Sequence, residues 1–391
     1  MIFQLIADRL ADIARSGLLR RRFARESAQG ARITVEGREY MAFCSNDYLG
    51  LANHPRIVEA AVDAALRYGV GQGASHLLSG HSMAHERVES ALAEFVQMPR
   101  SLLFSSGYQA NIGAVTALAG PGDAVFSDEL NHASLIDGVR LSRAQVVRYP
   151  HGDVEFLSQA LASCESKTKL IVTDGVFSMD GDLAPMPALL DLCERHDALL
   201  VLDDAHGFGV LGAGGRGSPA HFGVRSPRVV YVGTLGKAAG VSGAFVAGTA
   251  EVVETVLQRA RTYIYTTASP AMLAAAVEAS LRLIRDEEWR REHLRRLVAS
   301  LKRSLQGTEI ELKPSDTPIQ PLIVGGNAKA LEASAVLRKR GILVPAIRPP
   351  TVPEGTARLR ISLSAAHSEQ DVTDLATALR EACQSGAEAH A

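Results

Sequence analysis

Residues 229–240 read VVYVGTLGKAAG. A run of strand formers, Val229 to Thr234, ends in a glycine-bearing turn that carries one lysine, Lys237. Lysine is mostly a solvated surface residue. This one follows a strand that reads as buried, and no Asn-Gly or similar two-residue signal brackets it, so the turn reads as free of a hairpin. Two chemistries use a lysine in such a place: a phosphate cradle and a Schiff base.

Outward from this stretch, between about residues 100 and 250, apolar runs alternate with helical patterns. SLLFSS precedes YQANIGAVTALAG, AVFSD precedes HASLIDGVRLS, and QVVRYP precedes VEFLSQALASC. KLIVTDGVF precedes PMPALLDLCERH, and ALLVLDD, VVYVGTL and GAFVAG follow. Short continuous apolar strands separated by helices indicate an α/β fold with a mostly parallel, doubly wound sheet covered on both faces. Ligands bind such sheets at the carboxyl ends of the strands. Those ends carry Ser105-Ser106-Gly107-Tyr108, Asp128 to His132, Ser178, Asp203 to His206, and Lys237.

The flanks differ. The first residues predict an amphipathic helix with Ile6, Leu10 and Ile13 on one stripe, ending near Gly17. RITVEGREYMAF predicts a hairpin around Glu36-Gly37, and HPRIVEAAVDAALRYG a helix with Pro55 in its first turn and Gly69 at its end. From about residue 269 a long helical stretch begins, with room for one break. QPLIVG, AKALEASAVLRKRG, ILVPAI, RLRISLS and EQDVTDLATALREAC then form a smaller α+β unit. The expected division is an N-terminal helix and hairpin segment, 1–45, a large domain, 46–280, and a small C-terminal domain, 281–391.

Composition narrows the function classes. The chain has 391 residues, 47% hydrophobic and 21% charged, with a net charge of -2, so no overall basic balance points to nucleic acid. The basic clusters RRRFAR and RREHLRR read as solvated helix faces or ends. Cysteines at 44, 164, 193 and 383 form no CxxC pair, which suggests free thiols in a reducing compartment. Acids interrupt the first apolar stretch, so it is not a signal peptide, and no apolar run reaches the ~18 residues of a membrane span. A soluble cytoplasmic protein is expected.

Several motifs fail on inspection. A P-loop requires Gly six residues before its lysine and Ser or Thr after it; here Tyr231 and Ala238 stand there. G-x-G-x-x-G occurs at Gly207-Gly209-Gly212 and Gly212-Gly214-Gly217, where the chain runs into Ser218-Pro219 rather than opening a helix. HSMAHE places His81 and His85 four apart on a helix, without an evident third metal ligand, and no metal is expected. GHSMA lacks the last glycine of a nucleophile elbow, Ala84 standing there. The Schiff-base reading accounts for more residues together. Pyridoxal phosphate needs an acid beside its ring nitrogen, a role open to Asp203 at the end of LLVLDD, while Asp204 points to the other pleat face. Its phosphate needs backbone N–H groups at a helix start, available at Ser106-Gly107-Tyr108, with Thr234 able to add a hydroxyl.

SNDYLGL, SGHSMAHERVESALAEF, FSSGYQAN, DELNHASLIDG, DGVFSMDGDLAPM, LDDAHGFGVLGAGGRG and GTLGKAAGVSGAF together resemble the α-oxoamine synthase family of fold-type-I pyridoxal-phosphate enzymes. The resemblance spans about residues 20 to 380. It implies that Lys237 forms the imine with the cofactor and later moves the α-proton. It implies that Asp203 pairs with the pyridine nitrogen, that His206 and Ser178 contact the ring-oxygen region, and that His132 stacks on the ring face. Gly107, Tyr108 and Thr234 would hold the phosphate, with Thr266 and Thr267 reaching it across a homodimer interface. Arg360 would bind the amino-acid carboxylate, and Arg20 and Thr351 would contact the acyl substrate, with His132 also facing substrate. QPLIVG and AIRPPTVPEGTARLRISLSAAHS resemble the biotin-pathway branch, which joins L-alanine to a pimeloyl thioester carried by coenzyme A (pimeloyl-CoA) or by acyl carrier protein. One departure is His76, which takes the position where the family often has arginine. Rival readings are a sibling that acetylates glycine, an NAD-dependent oxidoreductase using the glycine triplets, and a non-catalytic interaction protein.

Overall fold

A computed structural model describes residues 1–388 except Arg21. Arg21 of the basic stretch 20–25 and residues 389–391 of the expected C-terminal domain lie outside the described residues. The chain divides into two compact units: Asn46–Leu294, and Met1–Ser45 together with the chain from Arg295 onward.

The smaller unit begins with the helix Ile2–Arg15, which has no buried residue; Ile6, Leu10 and Ile13 are 46%, 54% and 42% exposed. The predicted hairpin follows as β1 (Arg32–Val35) and β2 (Arg38–Ala42). Glu36 and Gly37 both take positive φ at its tip, as a two-residue hairpin turn requires.

The larger unit is built on a seven-stranded sheet. Its strands are β3 (Arg100–Phe104), β4 (Ala124–Asp128), β5 (Gln145–Tyr149), β6 (Lys169–Asp174), β7 (Leu199–Asp203), β8 (Val229–Thr234) and β9 (Ala244–Gly248), in the order β3-β9-β8-β7-β6-β4-β5. Neighbours from β8 to β5 are parallel, whereas β9 runs antiparallel to both β8 and β3. Val172, Val201, Val230 and Val232 pack with Ala114, Val115 and Val253 from covering helices. Ile171, Leu200, Leu202 and Tyr231, alternating with them, are also buried. Both faces of the sheet are therefore covered, which is why the strands read as continuous apolar runs.

The reversed strand corrects one expectation. Thr234 pairs with Ala244, so residues 235–243, Lys237 among them, form the loop of a β8–β9 hairpin. A connection of that length lacks the two-residue turn chemistry by which a hairpin is recognised in sequence. The long helical stretch divides into Ala271–Asp286 and Trp289–Leu305. Within RREHLRR, Arg290 and Arg291 are buried rather than solvated. Arg290 donates to the carbonyl of Leu49 at 2.9 Å, and Arg291 to that of Ile284 at 2.6 Å. Ile284 lies in the last turn of the preceding helix, so Arg291 satisfies one of its terminal carbonyls.

The smaller unit resumes with β10 (Ile319–Gly325), β11 (Ile342–Leu343), β12 (Ala346–Ile347) and β13 (Ala357–Ser362). ILVPAI thus supplies two strands in different sheets. β11 joins β2 in parallel, and β12 flanks β13 in the order β10-β13-β12. Pro345 stands at the break: it has no N–H for a ladder, and its carbonyl accepts from Arg360 N at 3.1 Å. The helices Asn327–Lys339 and Glu369–Glu388 complete this unit.

Candidate active site

The carboxyl edge of the large sheet gathers the chemistry. Lys237, half-buried, lies three residues beyond β8, and its Nζ is 3.0 Å from Nε2 of His206. The Nδ1 of His206 is 2.6 Å from the hydroxyl of Tyr48, which donates to Oδ1 of Asn46 at 3.1 Å. The His206 ring thus stands between the Tyr48 phenol on Nδ1 and the Lys237 amine on Nε2.

Asp203 ends β7 beside Asp174, its register partner at the end of β6. One Asp203 oxygen accepts from Asn111 Nδ2 at 2.5 Å and the other from the backbone N–H of Ala205 at 3.0 Å. Asn111 also donates to Ser134 Oγ at 2.8 Å, and Ser134 Oγ lies 2.7 Å from His132 Nδ1. The backbone N–H of His132 donates to Asp174 at 3.0 Å. A continuous polar chain therefore runs from Asp203 through Asn111 and Ser134 to His132 and Asp174. Burial pushes Asp174 well above the usual carboxylate range, and the Asp203 charge adds to it. Burial lowers the pKa of His132, opposed by Asp203 and reinforced by Lys237, so its ring stays neutral.

Across this edge the helix Gly107–Leu118 opens with Ser106 as its cap, the Ser106 hydroxyl accepting from Gln109 N at 3.3 Å. A Cβ on Gly107 would stand 2.9 Å from Thr234 Oγ1. Helix N-terminus and threonine hydroxyl thus face one small space, the donor set of an anion cradle. The side chain of Tyr108 is turned elsewhere, its hydroxyl donating to Asp137, which leaves its backbone N–H for that space. Ser178 lies in the turn after β6, half-buried. Thr266 is half-buried and Thr267 exposed, just past the helix Arg261–Ile264; neither hydroxyl is hydrogen-bonded to a described residue.

Asp204, one residue beyond Asp203, points to the other face as the pleat predicts, and is fully buried. It accepts from Ser218 N at 2.7 Å, from Tyr231 OH at 2.8 Å and from the Ser218 hydroxyl. Burial nevertheless pushes its pKa up to about 7. The second glycine triplet serves this acid. At Gly217, whose φ is +94°, a Cβ would fall 2.0 Å from Asp204 Oδ2. Gly217 also caps a one-turn helix, Ser218–His221, so the triplet does meet a helix start, but a buried aspartate already fills that space. Nearby, His151 bridges Asp128 at 3.1 Å and Asp182 at 2.7 Å, and these hydrogen bonds raise its pKa to about 10.

Arg20, Thr351 and Arg360 belong to the smaller unit. Arg20 and Thr351 are exposed. Arg360 is buried on β13, its guanidinium donating to Ser362 Oγ at 2.7 Å. Asn46, Tyr48, Asn111, Ser134 and Asp174 carry the site's hydrogen bonding yet drew no role from the sequence. SNDYLGL and YQANIGAV were recognisable as motifs, but which side chains turn toward the pocket depends on the fold. The histidines of HSMAHE are a further correction. His81 precedes the helix Met83–Val96, and only His85 lies on it, where its ring accepts from Ser82 N at 3.0 Å.

The geometry can be set beside known proteins. The family described as Aminotransferase class I and II matches residues 38–379. An 8-amino-7-oxononanoate synthase of Nitrosospira multiformis is 61% identical over 364 residues, which are 93% of this chain and 92% of that protein. A serine palmitoyltransferase from S. paucimobilis with a bound PLP–myriocin aldimine superposes with a TM-score of 0.91 at 29% identity, covering 98% of this chain and 97% of that one. An 8-amino-7-oxononanoate synthase from Francisella tularensis gives a TM-score of 0.76 at 29% identity, over 89% of this chain and 98% of that one. The fold is that of the fold-type-I pyridoxal-phosphate enzymes. The residues present fit that cofactor: an acid at a strand end, a lysine 3.0 Å from a histidine ring nitrogen, and a cradle that a Cβ on Gly107 would crowd. The chain belongs to the class I and II aminotransferase family, within the α-oxoamine synthase branch that includes the 8-amino-7-oxononanoate synthases.

Proposed function

We propose that the protein condenses L-alanine with a pimeloyl thioester, on coenzyme A or acyl carrier protein, giving 8-amino-7-oxononanoate, carbon dioxide and the free thiol carrier, a step of biotin biosynthesis. The observation that carries this reading is the lysine–histidine pair, 3.0 Å apart at the edge where Asp203 ends its strand. Kinship to the 61%-identical synthase supports the choice of substrates.

Bound pyridoxal phosphate supplies an aldehyde that condenses with amines and a ring that accepts the electron pair of the α-carbon. The chain's own residues do the rest. Lys237 Nζ holds the cofactor and then takes the proton from the α-carbon of alanine. His206 Nε2, 3.0 Å from Nζ, orients the amine. Asp203, aligned by Asn111, keeps the ring nitrogen protonated. His132, neutral and anchored through Ser134, would cover the cofactor ring and border the substrate. Ser178 joins His206 near the ring oxygen. Backbone N–H groups of Gly107 and Tyr108 and the hydroxyl of Thr234 bind the phosphate. Arg360 pairs with the alanine carboxylate, where a guanidinium suits a planar anion. Arg20 and Thr351 contact the acyl chain.

Thr266 and Thr267 reach the phosphate of a partner copy, so the working form is a homodimer; the open apolar stripe of the helix Ile2–Arg15 also suits a covered surface in such an assembly. Among the described residues no helix is long and apolar enough to cross a membrane; that the enzyme works in the cytoplasm is part of the proposal and rests on its scattered cysteines, which form no CxxC pair. The test compares kcat/KM for pimeloyl-CoA and acetyl-CoA, each with alanine and with glycine, and identifies the products by mass spectrometry. Pimeloyl-CoA with alanine should be the best pair. If acetyl-CoA with glycine is better, the biotin assignment falls and a glycine acetyltransferase replaces it.

A further inference from the structure

The histidines of HSMAHE have no part in the reaction described above. Beside them the structure brings a third, His76, from the segment His76–Gly80. His76 and His81 face each other with their Nδ1 atoms 2.9 Å apart, and His81 Nε2 lies 3.1 Å from Glu86 Oε2. Glu89, one turn further along the same helix, is half-buried, with one oxygen accepting from Leu103 N at 2.8 Å. Among the described residues Glu89 has no ion pair. His76, His81, Glu86 and Glu89 line one cavity of about 330 Å³, room enough for an ion with its water.

Two ligand sets share His81: the three histidines, or His81 with the two glutamates, the atoms of each set lying within 4.8 Å of one another. Hydrogen bonding separates them. His85 Nδ1 already accepts from Ser82 N, and its Nε2 lies 2.8 Å from the carbonyl of Ser269, to which it must donate. Neither nitrogen of His85 is available without dismantling a helix cap. His81 is placed differently. Without an ion, the 3.1 Å contact to Glu86 requires a proton on His81 Nε2; a cation would displace that proton, and His81 Nδ1–H would then donate to His76 Nδ1, 2.9 Å away. A ligating histidine ordinarily donates its other N–H to a neighbouring acceptor in this way.

We propose that His81 Nε2, Glu86 and Glu89 form a binding site for a divalent transition cation of the zinc class, with His76 as the positioning residue behind His81. Imidazole with carboxylates is a donor set that zinc accepts, water completing its shell. Ligand atoms around such an ion stand ~3.3–3.5 Å apart, given bonds of ~2.0–2.2 Å. Closing from 4.8 Å asks for small rotamer changes, chiefly in the exposed Glu86. The ion would tie the segment 76–81 to the first two turns of the helix Met83–Val96.

The test uses the purified holoenzyme, stripped of metal by a chelator that leaves the cofactor bound. Zinc chloride is titrated by calorimetry, with bound metal counted after equilibrium dialysis. One zinc per chain is expected, with a concentration-dependent rise in Tm. His81→Ala should abolish binding, and Glu86→Gln and Glu89→Gln should each weaken it about 10-fold or more. His76→Gln should weaken it about 10–100-fold, the cost of losing a partner behind a ligand. Since His81→Ala could disturb the fold, Glu86→Gln at an exposed position is the decisive variant, with circular dichroism confirming its structure. The proposal is overturned if the wild-type enzyme binds no zinc at this stoichiometry, or if binding survives both glutamate changes, whichever histidine then holds the ion.

Discussion

Asp203 and Asp204 are neighbours in sequence and opposites in surroundings. Asp203 faces the carboxyl edge, held by one asparagine and one backbone N–H, and its charge reaches the neighbouring His132. Asp204 is enclosed by Ser218, Tyr231 and a glycine whose missing side chain makes the room. One pleat step separates an acid on the proposed ligand side from one enclosed within the fold. A charged residue after a buried strand is therefore no evidence of catalysis until its face is known.

The sharpest way to break this contrast is at the lysine on the ligand side. Lys237→Ala should lower turnover by ~10⁴-fold or more, because on the proposed reading it removes both the cofactor anchor and the proton carrier. The visible cofactor band should shift while Tm stays near the wild-type value. Normal turnover in a purified variant would end the assignment.

Next comes the pair itself. Asp203→Asn should reduce kcat by ~10²–10³-fold, the usual cost of losing a preorganised electrostatic partner, with little change in urea midpoint. Asp204→Asn should do the reverse. An amide nitrogen would face the Ser218 and Tyr231 donors, costing about 1–3 kcal/mol of stability, while the folded fraction keeps its activity. If the two variants gave the same pattern, the division between faces would be wrong.

Two glycines extend the comparison. Gly217→Ala places a methyl group onto Asp204 at a positive φ and should cost ~3 kcal/mol or more, seen as a lower Tm. Gly107→Ala crowds only Thr234 Oγ1. Its effect should fall on cofactor affinity, about 10–100-fold if one charge-assisted hydrogen bond of ~1.5–3 kcal/mol is displaced. Titrating the apoenzyme with pyridoxal phosphate reads this directly, and equal affinity in both proteins would remove Gly107 from the cradle.

The smallest effect concerns His151. Its pKa is raised to about 10, so the folded protein holds this proton more tightly than the unfolded chain. The stabilisation is fully present below the unfolded value near ~6.5 and is lost as pH rises toward 10. A contribution of about 1–3 kcal/mol is expected for its charge-assisted hydrogen bonds. Urea midpoints of wild type and His151→Gln should converge as pH climbs through that window; a constant gap would show that the charge plays no part.

Much of the larger unit was legible because its strands are buried on both faces, which makes them continuous apolar runs, and because ligands gather where such strands end. Lys237, Asp203, His206 and Gly107 follow from that rule. The direction of β9 was not legible, since an apolar run carries no sign of parallel or antiparallel pairing. The joining of β2 to Ile342–Leu343 was hidden because two residues are too few to show a period. Tyr48 and Asn111 were missed because each acts at a distance in sequence, Asn111 reaching Asp203 across 92 positions. Arg290 and Arg291 misled for the opposite reason: charge suggested solvent, whereas both spend their donors on carbonyls inside the protein.

The hairpin that carries Lys237 bears on how this enzyme could be altered. The loop is laced from within: Leu235 N donates to Gly243 O at 2.9 Å, Val241 N to Leu235 O at 2.9 Å, and Gly240 N to Lys237 O at 2.9 Å. Both of its ends enter interior strands of the sheet, each paired on both sides. An added residue there would have nowhere to bulge without unzipping one of these bonds or slipping the register of β9, which would exchange its two faces. Laboratory libraries that vary loop length should therefore return no active clones at 235–243, while point substitutions at exposed Gly236 survive. Changes of substrate preference are then to be sought through side chains around the lysine, with the length of its loop left fixed.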